Sequence, residues 1–578
     1  MHNLRPLVPY LNRYRWSLLA GFLIAAIGAG ITTLSPYLLR RAVDDLYGRG
    51  VDVNRLMQFG LLILAAAAVD GVFKFGQRRI IGGVSYHVEY ALRRDLFRKL
   101  LRLDQGFFGQ NHTCDLMARA TNDLSAVRQL LGPGLSSIAG SGLTLIVASV
   151  WMLLIDVRLA LITLILLPSI SVAFVLIGQR MRKRFTRVQE QFGHLSTRAQ
   201  ENFSGIRTIK AYAQEEAEIA EFLRENRIYQ RLNLQYVLLS GLIWPMMILL
   251  LGLTGALLLF FGGRAVASGQ LTIGEFVQFN AYLSVLAWPM IALGWTVTLY
   301  QQGSASMARI AEVLHREPAI QSPARTAATS VHGDLRFDNV GVRYGDRWIV
   351  RNVSFHVPAG RSLAIVGATG AGKTTLVNLI SRVQDPTEGQ VLIDGHAVSE
   401  LPLDVLRSSV GYVPQDTFLF SVPLRENVGF GREDVSEEQF ESALVVSQLV
   451  NDLPQFPQGV DTLLGERGVT LSGGQKQRTA IARAVLRDPR ILVLDDALSS
   501  VDTHTAAEIL RHLRDVMEGR TTIIIAQRIA TVKDADEVVV IDQGTVVERG
   551  THADLIRQDG LYAAMYRREL LQQELSEA

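Results

Sequence analysis

Six stretches of this chain stay apolar for close to twenty residues or more, and they restrict the possible folds more than any other feature. They are Trp16–Leu39, Leu56–Phe73, Leu135–Ile155, Leu159–Ile177, Val237–Phe261 and Ile273–Leu299. At about 1.5 Å per helical residue, roughly 20 apolar residues cross the hydrocarbon of a bilayer. Backbone in lipid must satisfy its own polar groups, so runs of this length predict membrane-spanning helices. Only Asp156, Val157 and Arg158 separate the third run from the fourth, which predicts a tight hairpin. All six runs end before residue 300 of 578, and the remainder has the texture of a soluble domain.

Basic residues orient the spans. Arginine and lysine crowd the segments Arg78 to Arg128 and Arg180 to Arg231, whereas the turns after spans three and five carry only Arg158 and Arg264. The first loop fits less well, although Asp44, Asp45 and Asp52 lie among its arginines. Both long basic segments, both chain ends and the soluble half are therefore expected in the cytoplasm. Those segments show helical periodicity, as in "VEYALRRDLFRKLLRL", but too few apolar residues for cores of their own. Spans two to five are thus expected to continue as helices beyond the bilayer. The start, "MHNLRPLVPYLNRYRW", reads as an interfacial helix before a retained span, so the protein is expected to be multi-pass in the cell (inner or plasma) membrane.

The formal charge of +3 is too small to argue for nucleic acid as a partner, and membrane lipid is expected instead. The single cysteine, Cys114, excludes an intrachain disulfide and a cysteine-based zinc site. Asp70 interrupts an apolar run, and Lys74 one helical turn on can pair with it; a substrate or proton role is the alternative. Trp244–Pro245 and Trp288–Pro289 are read as helix kinks, with cavity lining as the alternative.

Residues 316–333 include "AIQSPARTAATSVHG", a solvated connector. Beyond it, "LAIVGATGAGKTTLVNLI" places Gly367, Ala368, Thr369, Gly370, Ala371, Gly372, Lys373, Thr374 and Thr375 between a strand and an apolar helix. This is G-x-x-x-x-G-K-[ST] in its required context. Its glycines let backbone N–H groups converge on phosphate oxygens, Lys373 reaches the terminal phosphates and Thr374 ligates magnesium. ATP and Mg2+ are the expected cofactors. The run "ILVLDDALSSVD" reads as a buried strand ending at Asp495, the second magnesium residue. On extended backbone the next carboxylate, Asp496, points elsewhere and is placed to orient or deprotonate the attacking water. In "LSGGQKQR", Ser472, Gly473 and Gly474 open a helix that offers a second anion-binding arrangement, suggesting contact with a phosphate held by a neighbouring molecule.

The order of these motifs resembles an ABC transporter nucleotide-binding domain, and with six spans before it the chain resembles an exporter half-transporter of the bacterial multidrug type. The fold class implied is a membrane α-helical domain with long cytoplasmic helical extensions, fused to an α/β P-loop ABC ATPase domain. The boundaries expected are 1–315 for the membrane domain, 316–333 for the linker, 334–571 for the ATPase and 572–578 for a tail. The resemblance implies a dimer that sandwiches two ATP molecules, each between one subunit's P-loop and the other's "LSGGQ", Gln475 included. It further implies adenine stacking by Tyr344, magnesium contact by Gln415, a loop at Leu464–Gly468 that meets intracellular helices, and a crossing loop at Ser499–Asp502. "FFGQNHTCDLMARATND" and "ENFSGIRTIKAYAQEE" resemble the regions that bear coupling helices. Cys114 stands where this pattern has a small residue and is read as a buried structural thiol.

Two positions depart from the family pattern, with Asp496 where it has glutamate and Gln527 where it has histidine. The aspartate is shorter by about 1.5 Å, the scale of one C–C bond. Glutamine can donate a hydrogen bond but cannot carry the imidazolium charge. Both changes weaken water attack and leave the ATP-binding residues intact. The resemblance is therefore to the degenerate-site subunit of a heterodimeric exporter, whose partner is a second ABC half-transporter and whose substrate is a hydrophobic or amphipathic small molecule, lipid or peptide. A homodimeric lipid or drug exporter with a slow ATPase is the alternative, as is an ATP-gated channel or regulatory subunit.

Overall fold

The computed structural model describes residues 2–49, 52–323, 330–432, 434–465, 468, 471–526 and 528–577. Gln527, Glu466 and Arg467 of the "LGERG" loop, and 324–329 of the expected connector lie outside the described residues. The chain divides into two units, Met1–Arg102 with Asn111–Arg316, and Leu103–Gln110 with Glu317–Ala578.

Six helices of the first unit are long and apolar enough to cross a membrane: α1 (Arg15–Gly48), α2 (Val53–Leu100), α3 (Thr113–Ile155), α4 (Val157–Ser204), α5 (Glu215–Ala267) and α6 (Ile273–His315). The last five have 43 to 53 residues, about twice what a bilayer needs. Each contains one of the apolar runs, and α2 to α5 also take in the basic segments. The α3–α4 hairpin turns on Asp156 alone, whose extended backbone breaks the helix while its carboxylate accepts from the Leu159 N–H at 2.7 Å. At the start of α6, the Thr272 hydroxyl accepts from Glu275 N–H and the Glu275 carboxylate accepts from Thr272 N–H, which satisfies two otherwise orphaned donors. Half of the apolar window of α6 is buried and none of that of α2, so α6 is the central helix of the unit.

Three wide π turns, Arg119–Asp123, Leu130–Gly134 and Ile138–Gly142, interrupt α3, the second of them containing Pro133. At the first, the buried Asp123 takes both the Arg309 guanidinium of α6 and the Ser306 hydroxyl. Asp70 does pair with Lys74, at 2.6 Å, and also accepts from the Thr32 hydroxyl at 2.7 Å. The helix carrying Trp244 and Pro245 is broken at Leu242, but α6 runs unbroken through Pro289. Trp244, Trp288 and Pro289 line a cavity of about 920 Å3, so cavity lining, and not kinking alone, is their position. Cys114 is exposed, contrary to its reading as a buried thiol. It sits in the first turn of its helix, two residues before the buried Leu116.

The second unit holds two sheets. One is antiparallel, ordered β2 (Arg347–Val357), β1 (Leu335–Tyr344), β4 (Glu388–Ile393), β5 (His396–Ala397). The other is ordered β10 (Thr545–Gly550), β9 (Glu537–Asp542), β3 (Ser362–Gly367), β8 (Thr521–Ile525), β7 (Ile491–Asp495), β6 (Val410–Val413), parallel except for β10. Strands buried on both faces read as unbroken apolar runs, and here alternate residues enter opposite cores. Leu363, Ile365, Ile491 and Val493 join one cluster with Leu376 and Val377 of α7 (Lys373–Ile380), while Ala364, Val366, Leu492 and Leu494 join the other. The final helix, Leu561–Glu577, runs on through the segment expected as a tail.

Candidate nucleotide site

In an open α/β sheet, ligands bind beyond the carboxyl ends of the strands. β3 ends at Gly367, β7 at Asp495 and β6 two residues before Gln415, so the sheet delivers all three to one edge. The loop Ala368–Gly372 is shaped for an anion by glycine. At Gly367, with φ +152°, a Cβ would lie 2.1 Å from the Ile541 carbonyl. At Gly372, with φ +96°, one would lie 2.8 Å from Val350 Cγ2. The Lys373 ammonium is buried under this loop and donates to the carbonyls of Gly367 and Ala368 at 2.8 and 2.9 Å. Those contacts use two of its three donors. Burial lowers the lysine's pKa, opposed by the charges of Asp496 and Asp495.

The pleat explains why Asp495 meets the P-loop helix. It follows Ile491 and Val493 onto the face that α7 covers, and there hydrogen bonds with Thr374 and with the Tyr412 hydroxyl, the latter at 3.3 Å. Burial pushes its carboxyl up despite those bonds. Two hard oxygen donors are thus side by side, the kind magnesium takes. Asp496 requires a correction. It is not on extended backbone, because the strand ends at Asp495 and Asp496 has φ +48°, the left-handed region. Its N–H still donates to Ile525 O at 2.9 Å, which anchors the turn. The turn, not strand alternation, sets the direction of this side chain, and both carboxylates act on Lys373. Tyr344, exposed at the end of β1, hydrogen bonds Gln384, whose amide in turn donates to Thr375 O at 3.4 Å.

The signature residues form a second group. Ser472 caps α8 (Gly473–Leu486) through a reciprocal pair with Gln475, at 3.2 and 3.0 Å. A Cβ on Gly474 would lie 3.1 Å from Ser500 O, so glycine is what lets the crossing loop approach. Asp502 caps α9 (Thr503–Met517), accepting from Thr505 N–H, which lowers its pKa. Among the described residues no hydrogen bond or ion pair joins Ser472–Gln475 to the P-loop. Gln477, which the motif reading passed over, ties the two groups together. Buried, it donates to Ser499 Oγ at 2.8 Å and Asp496 O at 3.4 Å, and accepts from Ser500 N–H at 2.9 Å. Its place one helical turn beyond Gly473 and Gly474, inside the quoted "LSGGQKQR", was the available signal.

Residues 18–290 match the ABC transporter transmembrane region, and residues 350–499 match the ABC transporter domain. The chain is 36% identical over 546 residues to a probable multidrug resistance ABC transporter ATP-binding/permease protein of Bacillus subtilis, covering 94% of this chain and 93% of that protein. It belongs to the ABC transporters. A solved bacterial Atm1-family ABC exporter with ATP bound superposes with a TM-score of 0.83 at 30% identity, over 96% of this chain and 99% of that one. A multidrug efflux ATP-binding/permease protein of Mycobacterium tuberculosis is 34% identical over 94% of this chain but only 45% of its own length. This ABC transporter is therefore a membrane-embedded transport ATPase of the exporter type, a half-transporter with one transmembrane region and one ATPase domain. Its P-loop cradle fits the nucleotide that such a domain binds.

Proposed function

We propose that this chain is the degenerate-site half of a heterodimeric exporter of hydrophobic or amphipathic compounds. One observation carries the reading: a carboxylate one carbon shorter than the family's glutamate follows Asp495, while the signature helix beside it is complete. Bound magnesium-ATP supplies the phosphoryl group and its charge neutralisation. Of this chain's own groups, the Gly367–Thr375 amides and Lys373 hold phosphate charge, Thr374, Asp495 and Gln415 hold the metal, Tyr344 stacks on the base and Asp496 orients water. Gln527 would hydrogen bond the terminal phosphate without imidazolium charge. A displacement near 1 Å of a group that must hold a near-attack position costs roughly 100-fold in rate. Nucleotide is then retained and seldom split on this P-loop, and Ser472–Gln475 completes the partner's competent site.

Closure over two nucleotides biases the membrane helices toward the outward state, and hydrolysis at the partner's P-loop resets them. The Mycobacterium tuberculosis relative, about twice as long as this chain, has room for two such halves and supports a two-half assembly. The test is ATPase turnover of the purified pair after Lys373→Ala here or the equivalent change in the partner. The partner change is expected to abolish turnover, and the change here only to slow it. Equal losses would sink the asymmetric scheme. A large gain from Asp496→Glu in the chain purified alone would favour a slow homodimer.

A further inference from the structure

Nothing in the nucleotide machinery accounts for the chemistry of the membrane unit's cavity. At about 920 Å3 it suits one drug-sized molecule or single-chain lipid. Its aromatic lining comes from α5 and α6, as Trp244, Trp288 and Trp295; the first two indoles are about two-thirds exposed, and none of the three stacks on another ring among the described residues. Its cationic lining comes from α2 and α3, as Lys74, Arg78 and Arg128. No aspartate or glutamate lines it. Lys74 and Arg78 directly follow the apolar run of α2, and Arg128 shortly precedes that of α3. The indoles lie within the apolar runs of their own helices. The cavity therefore has cations at the edge of the hydrocarbon and aromatic rings inside it.

The charges do not cancel. Lys74 shares Asp70, and Arg128 shares Glu89 with Arg93, at 3.1 and 2.6 Å. Arg78 has no carboxylate partner among the described residues, so of the three cations that line the cavity it is left without a counter-charge, while Arg128 divides Glu89 with Arg93. A basic residue at the edge of a span is ordinary, but a charged side chain that faces a cavity of the membrane unit is positioned to meet a substrate, and Arg78 lines this one.

We propose that this cavity selects amphipathic anions, with an acidic head held by Arg78 and its neighbours Lys74 and Arg128, and an apolar body laid against Trp244, Trp288 and Trp295. The inference rests on the export reading and names its substrate class. The test uses the full-length chain in phosphatidylcholine nanodiscs without nucleotide, reading equilibrium binding of dodecyl phosphate and dodecyltrimethylammonium against empty nanodiscs. The phosphate is expected to bind about tenfold tighter, the scale of one charge-assisted hydrogen bond. Arg78→Gln should erase most of that preference and Arg78→Lys should keep it. Equal or tighter binding of the ammonium probe, or full preference in Arg78→Gln, overturns the proposal. Competition by lysophosphatidate assigns the head to a lipid and competition by anilinonaphthalenesulfonate to a soluble amphiphile; failure of both counts against the site. Because no nucleotide is present, failure here leaves the asymmetric ATPase scheme standing, and the reverse.

Discussion

Burial holds the Asp495 carboxyl above its ordinary value of 3.8, against hydrogen bonds from Thr374 and Tyr412 that favour its ionised form. A carboxyl raised in the folded state penalises folding only when ionised. The penalty is absent below 3.8, where folded and unfolded forms are both protonated, and complete above Asp495's own higher value. Asp495→Asn should thus leave the nucleotide-free protein at neutral pH as stable as wild type or more so, an advantage that shrinks on acidification. The magnesium-dependent part of the ATP-induced thermal shift should vanish with it. A lower midpoint than wild type at neutral pH would show that Asp495 is held for stability. The placement of Gly367–Thr375 and Asp495 at one edge of the sheet was legible in sequence because it depends on local spacing and strand parity. The turn at Asp496 was not, since nothing in "LDDAL" announces left-handed backbone at an aspartate.

Among the described residues, Gln477 hydrogen bonds helix α8 to the loop Ser499–Asp502 from a buried position, with two bonds to Ser499 and Ser500 and a third to Asp496 O just before the loop. Gln477→Leu keeps the helix former but leaves Ser499, Ser500 and the Asp496 carbonyl without that partner. A buried hydrogen bond lost in this way costs about 1–3 kcal/mol. The variant should unfold a few degrees earlier, and its ATPase, assayed with a partner half-transporter, should fall while the concentration of ATP at half-saturation changes little. Unchanged turnover would mean that helix and loop move independently. A similar long-range tie was invisible in the membrane unit, where Asp123 and Arg309 are nearly two hundred positions apart. Arg309→Leu strands a buried carboxylate. Breaking a fully buried pair costs about 3–5 kcal/mol, and less is expected here because Arg309 is half exposed. The readout is a lowered thermal midpoint of detergent-solubilised protein.

At the scale of the whole chain, hydropathy alone foretold six helices, because a bilayer sets a length that composition cannot hide. Their extension into the basic segments followed from periodicity. The Trp288–Pro289 pair was harder to place, since a proline in sequence announces a missing donor but not whether neighbouring helices absorb it. The connectivity was harder still. Leu103–Gln110 belongs with the ATPase unit: its Asp104 carboxylate accepts from Ala319 N–H at 3.2 Å, and a short helix begins at Gln105. Anyone who trims the gene at the boundary that motifs suggest will therefore purify an ATPase with a gap in its surface. A synthetic peptide spanning this octet, added back to such a fragment, should raise its melting point, whereas a scrambled octet should not.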